Sequence, residues 1–164
     1  MNIRTLKISA ATLLPAVVTM LVVQACGGGG NAVAQTAADP LEGIWDTVGM
    51  QRDCTSNAVI ATFRASQAVH RGGTLTGINS GAPGTQGPSV GLWSKNTDGS
   101  YAIKFRFYRF NADGSPAGSN VVTSTRTLGV DGNTYSGTTR NEVRDAAGGV
   151  LQTLCVTDTA TRFT

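Results

Sequence analysis

The sequence is poor in charged residues and has a single histidine. Charged residues make up 14% of the 164 positions, whereas an ordinary soluble domain has about 25%. His70 is the one histidine, and the chain contains no Cys-x-x-Cys pair. The low charge excludes a coiled coil and charge-driven disorder. Because the usual nitrogen and sulfur ligands are scarce, we expect no metal site and no cofactor.

Motifs of catalysis and nucleotide binding are also missing. There is no nucleophile elbow, P-loop, dinucleotide fingerprint or EF-hand loop. The carboxylates are scattered singly, and turn chemistry explains Asp113, Asp131 and Asp145. We therefore expect no enzyme activity. The alternative is a cyclase or isomerase that works mainly through the shape of a cavity.

The first 25 residues have the pattern of a secretory signal. Arg4 and Lys7 precede an apolar run over residues 8–23, which is shorter than the roughly 20 residues of a membrane-spanning helix. The run ends at Val23-Gln24-Ala25-Cys26, which resembles a bacterial lipobox. An ordinary signal peptide cut near Ala25 or Ala34 is the alternative.

The lipobox resemblance implies a cellular address. Residues 1–25 would be a lipoprotein signal peptide, and Cys26 would be diacylated and become the mature N-terminus. Gly27 resembles the sorting pattern of outer-membrane lipoproteins. The resemblance implies a protein of the bacterial cell envelope, anchored by lipid to the outer membrane and facing the periplasm.

Residues 26–40 are rich in Gly and Ala and predict a flexible tether. Fourteen such residues have a reach of roughly 20 Å. Loss of Arg4 and Lys7 with the signal removes two positive charges from the net charge of +3, which leaves +1. Since no basic run or stripe remains, we expect no nucleic-acid partner.

Two cysteines remain if Cys26 is acylated. In an oxidising compartment, Cys54 and Cys155 predict one disulfide, with two free thiols as the alternative. Cys54 follows the first predicted strand and Cys155 lies in the last, so this bond would hold the two ends of the domain together.

The remainder, residues 41–164, predicts an all-β domain. Thr, Gly and Val are abundant, and Asp-Gly turns recur between β-prone runs. The predicted strands are 43–50, 58–70, 73–79, 89–95, 100–110, 117–129, 133–145 and 150–163.

Eight sequential antiparallel strands leave two exposed edges unless the sheet closes. We therefore predict an eight-stranded antiparallel up-and-down meander that is closed into a barrel. A sandwich of seven or eight strands is the alternative. Strand 133–145 has Arg140, Glu142 and Arg144 on one face and Asn141 on the other, which argues against a membrane-spanning barrel.

Gly43-Ile44-Trp45 opens the first predicted strand, and Arg162 closes the last. This constellation resembles the calycin barrels, which include lipocalins, avidins and fatty-acid-binding proteins. In lipocalins a G-x-W on the first strand meets an arginine from the last strand. The resemblance implies that Gly43, Trp45 and Arg162 close one end of a calycin-like barrel.

Alternation along the strands predicts the inner face. Small residues such as Ala61, Ala65 and Gly137 would leave room for a lumen. Asp158 would either face inward, near Arg109 or Arg162, or lie at the rim; the facing of Trp93 stays open. The predicted lumen residues are Phe63, Phe105, Phe107, Tyr135, Arg109 and Asp158.

These patterns favour a membrane-anchored envelope lipoprotein whose lipocalin-like barrel binds a small apolar or amphipathic ligand. The alternative is a solid barrel that binds an envelope protein or acts as an inhibitor. Small periplasmic barrel inhibitors of secreted proteases resemble this plan in size and in their single disulfide. The outward-facing set Lys104, Arg106 and Tyr108 would suit such a partner.

Overall fold

A computed structural model describes residues 37–82 and 84–164. The predicted signal peptide over 1–25, the predicted lipidation site Cys26 and the predicted tether up to residue 36 lie outside the described residues. Each strand of the described part begins and ends within two residues of its predicted bounds. These eight strands are β1 (Gly43–Arg52), β2 (Val59–His70), β3 (Thr74–Asn79), β4 (Ser89–Lys95), β5 (Tyr101–Phe110), β6 (Pro116–Leu128), β7 (Thr134–Arg144) and β8 (Val150–Arg162).

The sheet closes on itself. Each strand pairs antiparallel with the next, and β1 also pairs with β8. In this last pairing Trp45 lies opposite Arg162, and Arg52 lies opposite Cys155. The predicted closed, eight-stranded up-and-down barrel is confirmed, and the sandwich alternative is excluded. Because closure pairs both outer strands, neither exposes a free edge.

Short turns with a repeated sequence join several strands. The β4–β5 and β5–β6 turns both read Asn-x-Asp-Gly-Ser, with Gly99 at φ 85° and Gly114 at φ 81°. In the first, Asp98 Oδ1 accepts hydrogen bonds from the Ser100 hydroxyl and backbone N–H at 2.7 and 2.9 Å. These two bonds also lower the pKa of Asp98. Glycine is favoured in such turns because it adopts positive φ without steric cost.

The two cysteines of the described chain form a disulfide, as predicted. Cys54 lies just after β1 and Cys155 lies in β8, with their Cα atoms 5.1 Å apart. That separation lies within the usual range for a disulfide. The bond therefore fastens β1 to β8 across the seam where the barrel closes.

The two ends of the barrel differ. At the closed end, Leu41 and Trp45 are fully buried, and the Trp45 indole N–H donates to the Leu41 carbonyl at 2.8 Å. The opposite end carries the loops 53–58, 80–88, 111–115 and 145–149, and we call it the open end. The apolar core fills only the closed half of the barrel. It consists of Leu41, Trp45, Val69, Leu75, Tyr101, Ile103, Tyr135 and Ala160.

Candidate functional site: the barrel lumen

The half of the barrel toward the open end contains a cavity of about 270 Å³. Its wall is largely apolar and includes Phe63, Phe105, Phe107, Val122, Leu154 and Val156. Its floor, which lies next to the core, is polar and consists of Thr47, Gln67, Arg126 and Asp158. An apolar wall with a few polar groups at one end is the usual composition of a small-molecule site.

Glycines in the wall keep the cavity open. Gly49 lies opposite Phe63 on β1 and β2, and Gly91 lies opposite Phe105 on β4 and β5. A Cβ atom on either glycine would overlap the phenylalanine beside it. The Phe63 ring therefore lies over Gly49, whereas Gly91 lies against Cα and Cβ of Phe105.

A third glycine lets two charged side chains meet at the floor. Arg126 on β6 and Asp158 on β8 both lie opposite Gly137 on β7. Since Gly137 has no side chain, Arg126 Nε reaches to 3.2 Å from Asp158 Oδ2. The two side chains are only 3% and 5% exposed. Charges at that depth require a partner because their removal from water costs several kcal/mol per ion.

The floor pair has further contacts on both sides. The Arg126 guanidinium lies 4.5 Å from the centre of the Tyr135 ring, which is a cation–π geometry. Thr139 donates from Oγ1 to Asp158 Oδ1 at 3.0 Å. The Tyr135 and Thr47 hydroxyls are hydrogen-bonded at 2.7 Å. Burial raises the pKa of Tyr135, so its ring stays neutral beneath the guanidinium.

Several polar atoms of the cavity lining lack a hydrogen-bond partner among the described residues. They are Arg126 Nε and Nη1, Arg109 Nε, Asp158 Oδ2, Gln67 Oε1 and Asn120 Oδ1. Asp158 Oδ2 has its ion-pair contact with Arg126 but no hydrogen bond. Buried polar groups in proteins are nearly always satisfied by protein or by water. The lining therefore has unused capacity for hydrogen bonds with a molecule in the lumen.

The predicted lumen residues fall into two groups. Phe63, Phe105, Phe107, Arg109 and Asp158 line the cavity. Tyr135 instead lies below it in the core, with its ring centroid 5.1 Å from that of Trp45.

The prediction that an inward-facing Asp158 lies near Arg109 or Arg162 is wrong. The structure buries Asp158 and pairs it with Arg126, and neither Arg109 nor Arg162 is its partner. Arg109 lies at the mouth of the cavity, where Nη2 donates to the backbone carbonyls of Ala117 and Arg144 at 3.1 and 2.8 Å. Arg109 and Arg162, the two arginines that were expected near Asp158, both donate to backbone carbonyls instead.

Gly43, Trp45 and Arg162 come together at the closed end. The Arg162 guanidinium lies 4.4 Å from the Trp45 ring centre. It donates to the carbonyls of Glu42, Pro40 and Gly132 at 2.8, 2.6 and 2.9 Å. Gly43 has φ 133°, and a Cβ there would lie 2.5 Å from Arg162 Nη1. The arginine therefore covers the buried indole at the end opposite the cavity mouth.

Sequence reasoning missed Arg126, Gln67 and Asn120. The inward positions of β6 are mostly polar, so no apolar alternation marks that face. The pairing of β5 with β6 also has a register shift between Arg109 and Phe110. The inward positions of β6 therefore could not be counted from the alternation along β5. The facing of Trp93, which stayed open, is inward: its ring lies 6.0 Å from that of Tyr101.

The outward positions on β5 are those expected. Lys104, Arg106 and Tyr108 are exposed, and the Arg106 guanidinium lies 5.3 Å from the Tyr108 ring centre. Val90 and Leu92 on β4 are also exposed and lie opposite Arg106 and Lys104. We call these five residues the outer patch.

The chain matches no family model, no curated protein and no solved structure. The residues that the structure describes include no helix that is long and apolar enough to cross a membrane. In the same part of the chain, no group of three or more His, Cys, Asp or Glu side chains is placed to hold a metal ion. The site is therefore defined by its own geometry, as the lumen of a half-filled barrel.

Proposed function

We propose that this protein is a lipid-anchored lipoprotein of the bacterial cell envelope whose barrel binds a small amphipathic ligand. The observation that carries the proposal is the cavity of about 270 Å³, open at one end, with an apolar wall and a polar floor. At about 30 Å³ for a water-sized group, it has room for roughly nine non-hydrogen atoms. Such a ligand would place its polar group at the floor and its apolar part between the phenylalanines.

The envelope location is supported by two features. The lipobox-like run that ends at Cys26 supports acylation and export, and two acyl chains anchor a protein far more firmly than one. The disulfide between Cys54 and Cys155 supports an oxidising compartment such as the periplasm.

Native mass spectrometry tests for the ligand. The full chain with Cys26→Ser would be exported without acylation and purified from the periplasm without detergent. We expect additional mass on the folded protein that disappears on denaturation. Ala65→Trp, which fills the lumen, should abolish that mass. Ala102→Trp, on the outer surface of β5, should retain it.

The proposal is contradicted if the wild-type protein carries no additional mass and binds no small amphipathic molecule added to it. It is also contradicted if both tryptophan variants retain the ligand equally. Circular dichroism of each variant would show that the barrel still forms.

A second candidate function, a protein-interaction module, is favoured by the outer patch. Exposed apolar side chains beside two cations and a tyrosine are typical of protein interfaces. Replacement of Lys104, Arg106 and Tyr108 by alanine should then release a partner in pull-downs from envelope extracts. If every partner remained bound, this candidate would lose its support.

A further inference from the structure

We infer that the floor of the lumen selects a ligand whose head group is neutral and both donates and accepts hydrogen bonds. A hydroxyl or a primary carboxamide has this chemistry, whereas a carboxylate or an ammonium group does not. The inference rests on the proposed function, because it specifies the class of ligand that the lumen takes.

Charge balance at the floor supports a neutral head group. Arg126 and Asp158 lie 3.2 Å apart and their formal charges cancel. A carboxylate placed at the floor would be attracted by Arg126 but repelled by Asp158, and an ammonium group would meet the reverse. In either case the ligand charge would lose its hydration without a net compensating charge from the floor.

Arg109 does not give the floor a net positive charge that could bind a carboxylate. It also lines the cavity, but it lies at the mouth, and its Nη2 donates to two backbone carbonyls. A carboxylate at the floor would therefore be separated from Arg109 by the length of the cavity.

The unpartnered atoms require both kinds of hydrogen bond. Arg126 Nη1 is a donor, whereas Asp158 Oδ2 can only accept when the carboxyl group is ionised. Within residues 37–82 and 84–164 neither atom has a hydrogen-bond partner. A hydroxyl or carboxamide can accept from the arginine and donate to the aspartate at the same time. A carboxylate has no proton to donate, and an ammonium group cannot accept.

One amide at the floor adds to this preference. Gln67 Oε1 also faces the cavity without a partner in the described chain. Gln67 is buried, so its oxygen costs about 1–3 kcal/mol if it is left unmatched. A head group with hydrogen-bond donors removes that cost, whereas an anion leaves it in place.

The apolar wall sets the other half of the ligand. Phe63, Phe105 and Phe107 surround the space above the floor. Because the cavity takes roughly nine non-hydrogen atoms, a phenyl ring on a short chain suits both its volume and its aromatic lining. The probes for the test are therefore 3-phenylpropan-1-ol, 3-phenylpropanoate and 3-phenylpropylammonium, which differ only in their head group.

Isothermal titration calorimetry on the Cys26→Ser protein at pH 7 would measure the three affinities. We expect the alcohol to bind at least about tenfold more tightly than either ion, given the strength of charge interactions at short range in a protein interior. Asp158→Asn leaves Arg126 without a counter-charge and should shift the preference toward the carboxylate by at least about tenfold. Arg126→Gln should shift it toward the ammonium ion.

Asp113→Asn is the matched control, because it removes the same charge from an exposed turn at the open end. It should leave the order of the three affinities unchanged. The comparison of the three probes on the wild-type floor needs no substitution in the buried pair, so it stands even if a variant folds poorly.

A wild-type preference for either ion would overturn the head-group inference and leave the lumen as a ligand site. Equal effects of Asp158→Asn and Asp113→Asn would overturn it in the same way. If none of the three probes binds the wild-type protein, the proposed lumen site itself is contradicted.

Discussion

The cation–π contact between Arg162 and Trp45 shows how much of the closed end depends on one side chain. The guanidinium covers the indole and donates to three carbonyls from two separate segments. We expect Arg162→Ala to lower the free energy of unfolding by about 3 kcal/mol, because charged hydrogen bonds and the cation–π contact are lost together. Urea unfolding followed by tryptophan fluorescence would measure the loss.

Two further variants would identify the cause. Arg162→Lys keeps the charge but not the planar fork, so it should recover only part of the stability. Arg106→Ala removes an arginine whose ring contact is exposed, and it should change stability by less than about 0.5 kcal/mol. If Arg162→Ala were as mild as Arg106→Ala, the arginine would not hold the closed end.

Asp39 makes the closed end sensitive to acid. Its Oδ1 accepts hydrogen bonds from the Tyr101 hydroxyl at 2.7 Å and the Leu41 N–H at 2.9 Å, and Lys95 Nζ lies 3.3 Å from Oδ2. Burial raises the pKa of Asp39, but these partners together hold that pKa below its ordinary value of 3.8. The unfolded chain therefore takes up this proton at a higher pH than the folded barrel does.

The sign of the pH effect follows from that lowered pKa. The contribution of Asp39 to stability is complete above about pH 4 and is lost as the pH falls through its folded pKa. We expect Asp39→Asn to be less stable than wild type at pH 7, and the difference to narrow as the pH falls below 3.8. Thermal unfolding at a series of pH values would measure this. A difference that stayed constant down to pH 2.5 would contradict it.

At the scale of the element, β7 lies between the two strands that carry the buried ion pair, and its Gly137 lies between Arg126 and Asp158. A Cβ atom on Gly137 would lie 2.7 Å from Asp158 Oδ1. We expect Gly137→Ala to destabilise the barrel by about 2 kcal/mol, because it displaces the buried carboxylate from Arg126. Chemical denaturation would measure the change.

A double-mutant cycle would show whether the ion pair is the cause. The cost of Gly137→Ala should shrink in a background that carries both Arg126→Gln and Asp158→Asn, since no charges are left to separate. Ser136→Ala, on the outward face of the same strand, is the control. If Gly137→Ala lowered the free energy of unfolding by the same amount in the background without charges, the glycine would be required for the packing of the backbone and not for the ion pair.

The strand bounds could be predicted because their signals are local. Asp-Gly turns such as Asp98-Gly99 end one strand and begin the next, and alternation along β5 marks which side chains face inward. The disulfide followed from the pairing of only two available cysteines. All three inferences use information within one strand, one turn or one residue type.

The pair at the floor could not be predicted because it depends on three strands at once. Arg126 and Asp158 are brought together only when β6, β7 and β8 take one particular register, with Gly137 between the two charges. Nothing local to Arg126 distinguishes it from the exposed Arg140 of β7. The floor of the cavity therefore forms only in the assembled barrel.

At the scale of the whole molecule, the disulfide and the β1–β8 pairing close the same seam. The bond joins residues 101 positions apart, and the chain-entropy model gives about 4.7 kcal/mol for a loop of that length. We expect the pair of substitutions Cys54→Ser and Cys155→Ser to lower the free energy of unfolding by about 2–4 kcal/mol, without opening the barrel. Urea denaturation, with reduced wild-type protein as control, would measure the loss.

The retained fold would be visible in far-UV circular dichroism, since the hydrogen bonds between β1 and β8 remain. If the substituted protein lost its strand signal at neutral pH without denaturant, the seam would depend on the covalent bond alone. If it lost no stability, the denatured chain would already be compact near these two positions.

The barrel is divided into a packed half and a hollow half, so the apolar core and the cavity lie in different parts of one sheet. The core residues surround Trp45 at one end, whereas the cavity begins at Arg126 and Asp158 and extends to the loops. The same strands pass through both halves. Substitutions near the mouth can therefore change the cavity with little effect on the core.

The closed end is also where the chain enters the barrel. Pro40 and Leu41 are held there by Arg162 and Trp45, so everything that precedes them is attached at the pole opposite the mouth. If Cys26 is acylated, as we propose, the lipid would be joined to the barrel through its closed end, and the predicted flexible tether would let the cavity mouth face different directions.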